Sequence, residues 1–191
     1  MTTLYKLTEQ DCTTHGGCKW GDGATHETDG SGDMCGPGWL HAYTHPLLAV
    51  LFNPIHANFS NPLLWECEGE IGKNDRGLKV GCTRLTTLRR IPLPEISTEQ
   101  RVKFAILCAL KVCAGDKFVQ WANAWLDGSD RSEKSAARAA DYAMPGGADA
   151  AYTIFARDTS AAAYAAAACV ARAAERGAVI DLIALAKEAV S

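Results

Sequence analysis

The sequence lacks a strong charge imbalance and a long hydrophobic run. Its 191 residues carry a formal net charge of −3, with 21% charged and 48% apolar residues. This composition excludes an intrinsically disordered chain and a strongly basic nucleic-acid-binding protein. The longest unbroken apolar run, from Ala161 to Ala171, is too short and too weakly apolar to cross a bilayer. We therefore expect no membrane-spanning segment.

The sequence also lacks a Cys-x-x-Cys pair, although it has eight cysteines. The first residues carry neither the basic nor the apolar segment of a signal peptide, so we expect reduced thiols in a cytoplasmic protein. One set of cysteines and histidines lies close together in the sequence, but its spacing matches no zinc module. We predict no metal site, and leave open whether a metal binds that set, which comprises Cys12, His15, Cys18, His26 and Cys35.

The composition changes near Ser97. Residues 1–96 hold 4 alanines, whereas residues 97–191 hold 28. Two prolines in the segment 91–96 disfavour a helix there, and the following run Ser97-Thr-Glu-Gln100 fits a capping box. We predict an α+β protein in which an α+β domain at 1–96 packs on an alanine-rich, all-helical domain at 97–191.

The second half is predicted to form consecutive helices. The segment 98–114 is apolar nearly all round, which is typical of a buried central helix. Phe118, Trp121 and Trp125 recur at spacings of three and four, which favours an aromatic stripe packed in a core. We expect a core shared by the two domains that includes Phe104, Ile106, Leu107, Leu110 and Trp121. Helices are predicted over 98–114 and 117–126, from Asp130, with Glu133 three residues on, to Pro145, over 148–157, from Thr159 or Ser160 to near Gly177, and over 178–190.

The first half is predicted to form strands and loops. Alternating apolar and polar residues indicate strands at 3–7 and 64–71, and a further strand pair is predicted at 79–84 and 86–91. The apolar segment 46–52 begins with proline, which suits the first position of a two-turn buried helix. The glycine-rich segment 16–38 is predicted to be a loop, and loops of this length are often functional.

The richest set of polar rings follows a glycine turn. If the chain is extended there, His41, Tyr43 and His45 share one face, since side chains repeat every second residue. Three such rings would line a pocket. The alternative is that the histidines satisfy backbone carbonyls near the short helix. We favour this alternative for His45, and both interpretations stay open for His41.

Several of these motifs together resemble a known family. Over about residues 3–96 the sequence resembles an uncharacterised bacterial and phage domain family. The motifs that carry this resemblance are a strand ending in Tyr-Lys, a glycine-rich loop, the turn Gly38-Trp-Leu-His-Ala-Tyr43, the strand Leu63-Leu-Trp-Glu-Cys-Glu-Gly-Glu70 and the segment Lys79-Val-Gly-Cys-Thr-Arg84. The alanine-rich tail resembles the tails of some such phage proteins. More distantly, the order of elements is similar to the ADP-ribosyltransferase-like fold, in which a split pair of small sheets forms a cleft for NAD.

This distant resemblance implies a set of site residues. Tyr5 matches the first position of the fold's catalytic pattern and His41 the second, while the late acidic position has no clean match. Breaking the nicotinamide–ribose bond builds positive charge on the sugar, so a carboxylate is needed nearby, and Glu68 is the candidate. Trp39 or Tyr43 would hold the nicotinamide ring, and Lys6 and Arg84 the diphosphate. The alternative for each residue is a surface charge or a core ring.

Two classes of function follow from these residues. The first is an ADP-ribosyltransferase-like enzyme that uses NAD as cofactor to modify a host macromolecule, in the host cytoplasm if a phage encodes it. The alternative is a non-catalytic protein that binds a host or phage macromolecule, such as a phage-encoded inhibitor of host defence. Nucleic acid is the least favoured partner, because the helical half carries 11 basic and 11 acidic residues and offers no net attraction to phosphate.

Overall fold

A computed structural model describes residues 1–142 and 159–191 of the chain. The helix predicted over 148–157 and the helix end predicted at Pro145 lie outside these residues. The chain divides into two compact units, Met1–Glu95 and Ile96–Ser191. Together they make an α+β protein, as predicted, with the sheet in the first unit and helices in the second. In the described residues, no helix has the length and apolar character needed to cross a membrane.

The first unit is built on one five-stranded antiparallel sheet. Four strands follow the order β1-β4-β5-β2, and β3 also pairs with β5. The central pair, β4 and β5, has twelve residues in each strand, while β2 and β3 have three each. The strands are β1 (Thr2–Thr8), β2 (Thr25–Glu27), β3 (Leu40–Ala42), β4 (Leu63–Asn74) and β5 (Val80–Ile91).

This single sheet corrects the split pair of small sheets that the sequence led us to expect. Segments 79–84 and 86–91 form one continuous strand, because β5 pairs with β4 along its whole length and absorbs the mismatch through register shifts. The sheet also curls on itself. Tyr5 of β1 and Tyr43, which follows β3, exchange both backbone hydrogen bonds at 2.8 Å, so the chain after β3 meets the first strand.

One face of the sheet carries the core of this unit. Because β1 and β4 pair in register, Leu4 lies opposite Cys67, and both are completely buried. Trp65 lies opposite Lys6, and its Nε1 donates a hydrogen bond to the Thr8 hydroxyl at 3.0 Å. The buried cluster is Leu4, Trp20, Ala42, Leu63, Trp65, Cys67, Val80, Cys82 and Leu85.

Two further elements of the first unit differ in how well the sequence predicts them. Helix α1 (Pro46–Phe52) forms as predicted, with proline in its first turn and the His45 imidazole accepting a hydrogen bond from the Leu47 amide. His45 is therefore a helix cap. The segment 16–38 is not all loop. Its first two residues belong to a short 3₁₀ turn, His15–Gly17, and it contains β2.

The second unit consists of helices in the described residues. Ser97 and Gln100 form the predicted capping box at the start of the helix Thr98–Leu110, and Asp181 caps the helix Leu182–Val190 by accepting a hydrogen bond from the Ala184 amide at 3.0 Å. Of the predicted core residues, Phe104, Ile106, Leu107 and Trp121 are buried and Leu110 is half-buried. The helices are α2 (Thr98–Leu110), α3 (Asp116–Leu126), α4 (Glu133–Tyr142), α5 (Thr159–Glu175) and α6 (Leu182–Val190).

Candidate functional site

The first unit contains a cavity of about 710 Å³, a volume typical of small-molecule sites. Strands β1 and β3 contribute to its lining, together with the chain around β2, the turn before β3 and the segment after α1. Four of the five histidines line it, with two lysines and two cysteines. These polar lining residues are Lys6, His15, Cys18, His26, Cys35, His41, His56 and Lys79.

Lys6 is the most buried charged group of the site. Its side chain extends from β1 and is only 6% exposed. The ammonium donates a hydrogen bond to the His41 carbonyl oxygen at 2.9 Å and lies 4.4 Å from the centre of the Trp20 ring. Burial lowers the pKa of this amine from 10.5 to about 8, because a low-dielectric environment disfavours the charged form. Lys6 is therefore mostly protonated at pH 7 and evenly divided between its two protonation states near pH 8.

Lys79 is the second buried lysine of the cavity. It immediately precedes β5 and is 8% exposed. Its Nζ donates a hydrogen bond to the Cys35 sulfur at 3.3 Å, which joins the start of β5 to the turn before β3. No ion pair in the described residues includes Lys79 or Lys6, so both ammonium groups depend on neutral partners.

Two imidazoles lie near these lysines. The His41 Nε2 shares a hydrogen bond with the Met34 carbonyl oxygen. Burial lowers the pKa of His41, the charges of Lys79 and Lys6 lower it further, and the hydrogen bond to Met34 partly opposes these effects. Burial, with contributions from Lys79 and His41, lowers the pKa of His56 to about 4. His56 Nδ1 shares a hydrogen bond with the Tyr43 hydroxyl at 3.2 Å, and burial raises the pKa of that phenol. Both imidazoles are therefore neutral at pH 7.

Two tryptophans give the cavity flat apolar walls. Trp20 is buried and packs edge-on against His26, with 4.5 Å between the ring centres. Trp39 lies over glycines of β4 and β5, where an added Cβ would be 2.6 Å from the indole at Gly72 and 3.0 Å from it at Gly81. Only glycine leaves room for the indole at these two positions. The sheet thus fixes the orientation of Trp39 by close packing.

The described residues that line the cavity include only one carboxylate, Glu27. This side chain is exposed and already pairs with Arg84 at 3.2 Å. The two buried lysines, Lys6 and Lys79, therefore face no buried carboxylate among the described lining residues. Because a cluster of buried cationic groups is costly unless it is paired, the charge of the cavity favours an anionic ligand.

The structure brings together four of the seven predicted site residues. Lys6, Trp39, His41 and Tyr43 all line the cavity. The other three, Tyr5, Glu68 and Arg84, are not among the lining residues.

The three predicted residues outside the cavity have identifiable positions. Tyr5 pairs through its backbone with Tyr43, but its side chain does not line the cavity. Glu68 is exposed on β4 and lies opposite Thr86. Arg84 reaches the site only through its ion pair with Glu27. The predicted group of Tyr5, His41 and Glu68 is therefore not assembled around the cavity.

The sequence did not predict that Lys79, His56 and Trp20 line the cavity, and it singled out Cys35 only as a member of a possible metal-binding set. Lys79 was noticed only as part of a motif, yet a lysine directly before a strand as apolar as Val80-Gly-Cys82 is a signal for a buried amine. His56 gave no such signal, because it reaches the site through the turn after α1. In the described residues, no three histidine, cysteine or acidic side chains are grouped to hold a metal ion, and the eight cysteines form no disulfide.

Comparisons with known proteins give one finding. A family model described as a domain of unknown function, DUF7666, matches residues 2–99, just over half of the chain. No curated protein and no solved structure matches the sequence. The match covers β1 to β5 and every residue that lines the cavity.

Proposed function

We propose, from the premise that this chain belongs to the DUF7666 family, that its N-terminal unit binds a small anionic ligand in the cavity. The ligand class that fits best combines a negative charge with a flat ring, as in a nucleotide. NAD, the cofactor expected from the sequence, falls within this class. The role proposed for the protein is therefore binding of a small ligand, which differs from the non-catalytic alternative predicted from the sequence, a protein that binds a host or phage macromolecule.

The observation that carries this proposal is the pair of buried lysines without an acidic partner. Lys6 and Lys79 are each less than a tenth exposed, and their hydrogen-bond acceptors are a carbonyl oxygen and a sulfur. Burying an ammonium group without a counter-charge costs several kcal/mol, whereas a bound anion would offset this cost. An anion in the cavity would also favour the protonated form of Lys6.

The flat walls of the cavity support the second part of the ligand. Trp39 is partly exposed and presents an indole ring on which a planar group can stack, and such stacking is worth about 1–3 kcal/mol for a nucleic-acid base. The position of the Trp39 ring does not depend on the lysines, because the ring packs on Gly72 and Gly81 of the sheet. A phosphate held by the lysines and a base against an indole would share one site.

Transfer of ADP-ribose from NAD has less support as an activity. It needs a carboxylate beside the ribose, and Glu68 is on β4 away from the cavity lining. Glu27 is the one lining carboxylate described, and its ion pair with Arg84 holds it at the exposed rim. The enzyme, the host or phage target and the phage origin stay predictions from the resemblance.

Calorimetry on the full chain tests the binding proposal with a matched pair of ligands. ADP and adenosine share the base and the ribose, so only the diphosphate distinguishes them. We expect ADP to bind at least about tenfold more tightly, which corresponds to about 1.4 kcal/mol. The variant Lys79→Gln should remove this preference, because it deletes a buried positive charge.

An exposed lysine supplies the control for this titration. Lys19 adjoins the cavity residue Cys18 in sequence but does not line the cavity. The variant Lys19→Gln changes the net charge of the chain by the same amount as Lys79→Gln, and should bind ADP like the wild type. Equal affinity for ADP and adenosine, or no heat with either at millimolar concentration, would overturn the proposal.

A further inference from the structure

We propose that Lys6 is a reactive amine that captures an aldehyde bearing an anionic group, forming an imine inside the cavity. The anionic part of this ligand rests on the proposed function, whereas the reactivity of the amine does not. The ligand class is therefore a small phosphorylated or carboxylated carbonyl compound.

The surroundings of Lys6 are those of a nucleophilic amine. The side chain is 6% exposed, lines the cavity and has Trp20, Cys18, Cys67 and Cys82 around it. A strongly hydrated ammonium cannot attack a carbonyl carbon, but an amine kept from water has less solvent to lose and a larger neutral fraction. The lowered pKa of Lys6, about 8, agrees with this geometry.

The hydrogen bond of Lys6 leaves the lone pair of its nitrogen available for reaction. The amine donates to the His41 carbonyl oxygen at 2.9 Å, and that oxygen can only accept. A neutral amine held through one N–H keeps its lone pair for a carbonyl carbon placed in the cavity. Among the described residues that line the cavity there is no buried carboxylate to hold Lys6 in the ammonium form.

The second lysine supplies the charge that would hold the anionic end of the ligand. Lys79 lines the same cavity and reaches the exposed turn at Cys35. The charge of Lys79 contributes to the lowered pKa of both His41 and His56, and the charge of Lys6 contributes to that of His41. The two lysines and the two imidazoles therefore lie close enough to interact electrostatically. One lysine would therefore react while the other orients the ligand.

The proposed reaction balances without an oxidant or reductant. The neutral Lys6 nitrogen attacks the carbonyl carbon, a C–N bond forms, and the C=O pair moves to oxygen. Proton transfer from nitrogen to oxygen gives a neutral carbinolamine. This intermediate loses its hydroxyl group and the remaining N–H proton as water and becomes the imine. The neutral imidazoles of His41 and His56 line the cavity and can relay these protons.

Chemical trapping on the full chain tests this proposal. Pyridoxal 5′-phosphate supplies an aldehyde with a phosphate, and pyridoxal supplies the same aldehyde without it. Borohydride then reduces the C=N bond, so that digestion and mass spectrometry locate the modified lysine. At pH 8, where about half of the Lys6 amine is neutral, we expect the phosphorylated probe to modify Lys6 at least tenfold faster than the exposed Lys19.

Variants and pH separate the two parts of the proposal. The rate at Lys6 should rise with pH to a midpoint near 8, and Lys79→Gln should slow labelling by the phosphorylated probe but not by pyridoxal. Labelling of Lys6 at equal rates by both probes would confirm the reactive amine and overturn the anionic ligand. Modification spread evenly over exposed lysines, with Lys6 unmodified in the wild-type chain, would overturn the whole proposal. The variant Lys6→Arg should lose the site-specific label while Lys19→Arg keeps it.

Discussion

The burial of Lys6 predicts an unusual rise of stability with pH. Below pH 8 the amine is protonated in both the folded and the unfolded chain, so the full cost of burying the charge acts on the fold. Between pH 8 and 10.5 the folded chain has released a proton that the unfolded chain keeps, so the free energy of unfolding rises with pH. The shift of the pKa from 10.5 to about 8 corresponds to a total of about 3 kcal/mol.

The variant Lys6→Met isolates this contribution, because methionine fills a similar volume without a titratable group. Relative to this variant, the wild-type unit should gain about 2.5 kcal/mol between pH 7 and pH 10. Cys67 and Cys82 are completely buried, so brief thiol labelling along a urea gradient, with the labels on these two residues quantified by digestion and mass spectrometry, reports unfolding of the first unit. Comparing two proteins cancels the titration of the thiols and of Tyr43. Parallel stability curves for the two proteins from pH 7 to pH 10 would refute the reasoning.

Three other predictions concern single contacts. The methyl group of the variant Gly72→Ala would be 2.6 Å from the Trp39 ring, so this variant should lower the free energy of unfolding by about 1–3 kcal/mol and shift the indole N–H signal of Trp39 in NMR spectra. The control Gly21→Ala, whose methyl group meets open space, should do neither. Since burial lowers the pKa of His56 from 6.5 to about 4, the unfolded chain takes up a proton before the folded chain does, so the first unit should lose up to about 3 kcal/mol as pH falls through this window. Thermal unfolding of His56→Phe should show a smaller acid loss than the wild type; an equal loss counts against a buried, neutral His56. Finally, Asp181→Ala removes the cap on the Ala184 amide and should lower the free energy of unfolding of the second unit by about 1 kcal/mol. Circular dichroism measures this loss, and unchanged helix stability would contradict the capping role.

The sequence predicts the local elements of this chain well. The alternation in 3–7 and 64–71 indicates strands that the structure contains, and the proline at 46 begins the predicted helix. Capping residues also carry their usual information, since Ser97 and Gln100 form both hydrogen bonds of the capping box. These features depend on neighbours within a few residues, which is why a single sequence reveals them.

Long-range pairing explains what the sequence did not reveal about the sheet. Two strands, 79–84 and 86–91, were expected where the structure has one. The partner strand β4 continues past this point, and register shifts at Glu70 and Ile71 keep β5 paired as one strand. The number of sheets therefore depended on a pairing between segments far apart in sequence.

The site was predicted in part for the same reason. His41 and Tyr43 belong to one motif and line the cavity together, whereas His56 and Lys79 reach it from other elements. Tyr5 and Glu68 were chosen by resemblance to another fold. Because side chains alternate along a strand, Tyr5 lies on the opposite face of the sheet from its neighbour Lys6, and Glu68, which pairs with Thr3, lies on that opposite face too. Residue type alone does not reveal which side chains meet in a curled sheet.

The imidazoles of the cavity offer the most direct test of anion binding. A phosphate beside Lys79 would oppose the charges that, after burial, lower the pKa of His41 and His56. In NMR titrations of the full chain, saturating ADP should raise the pKa of His56 above its value of about 4 and raise that of His41 as well. Identical titration curves of His41 and His56 with and without ADP would contradict the account.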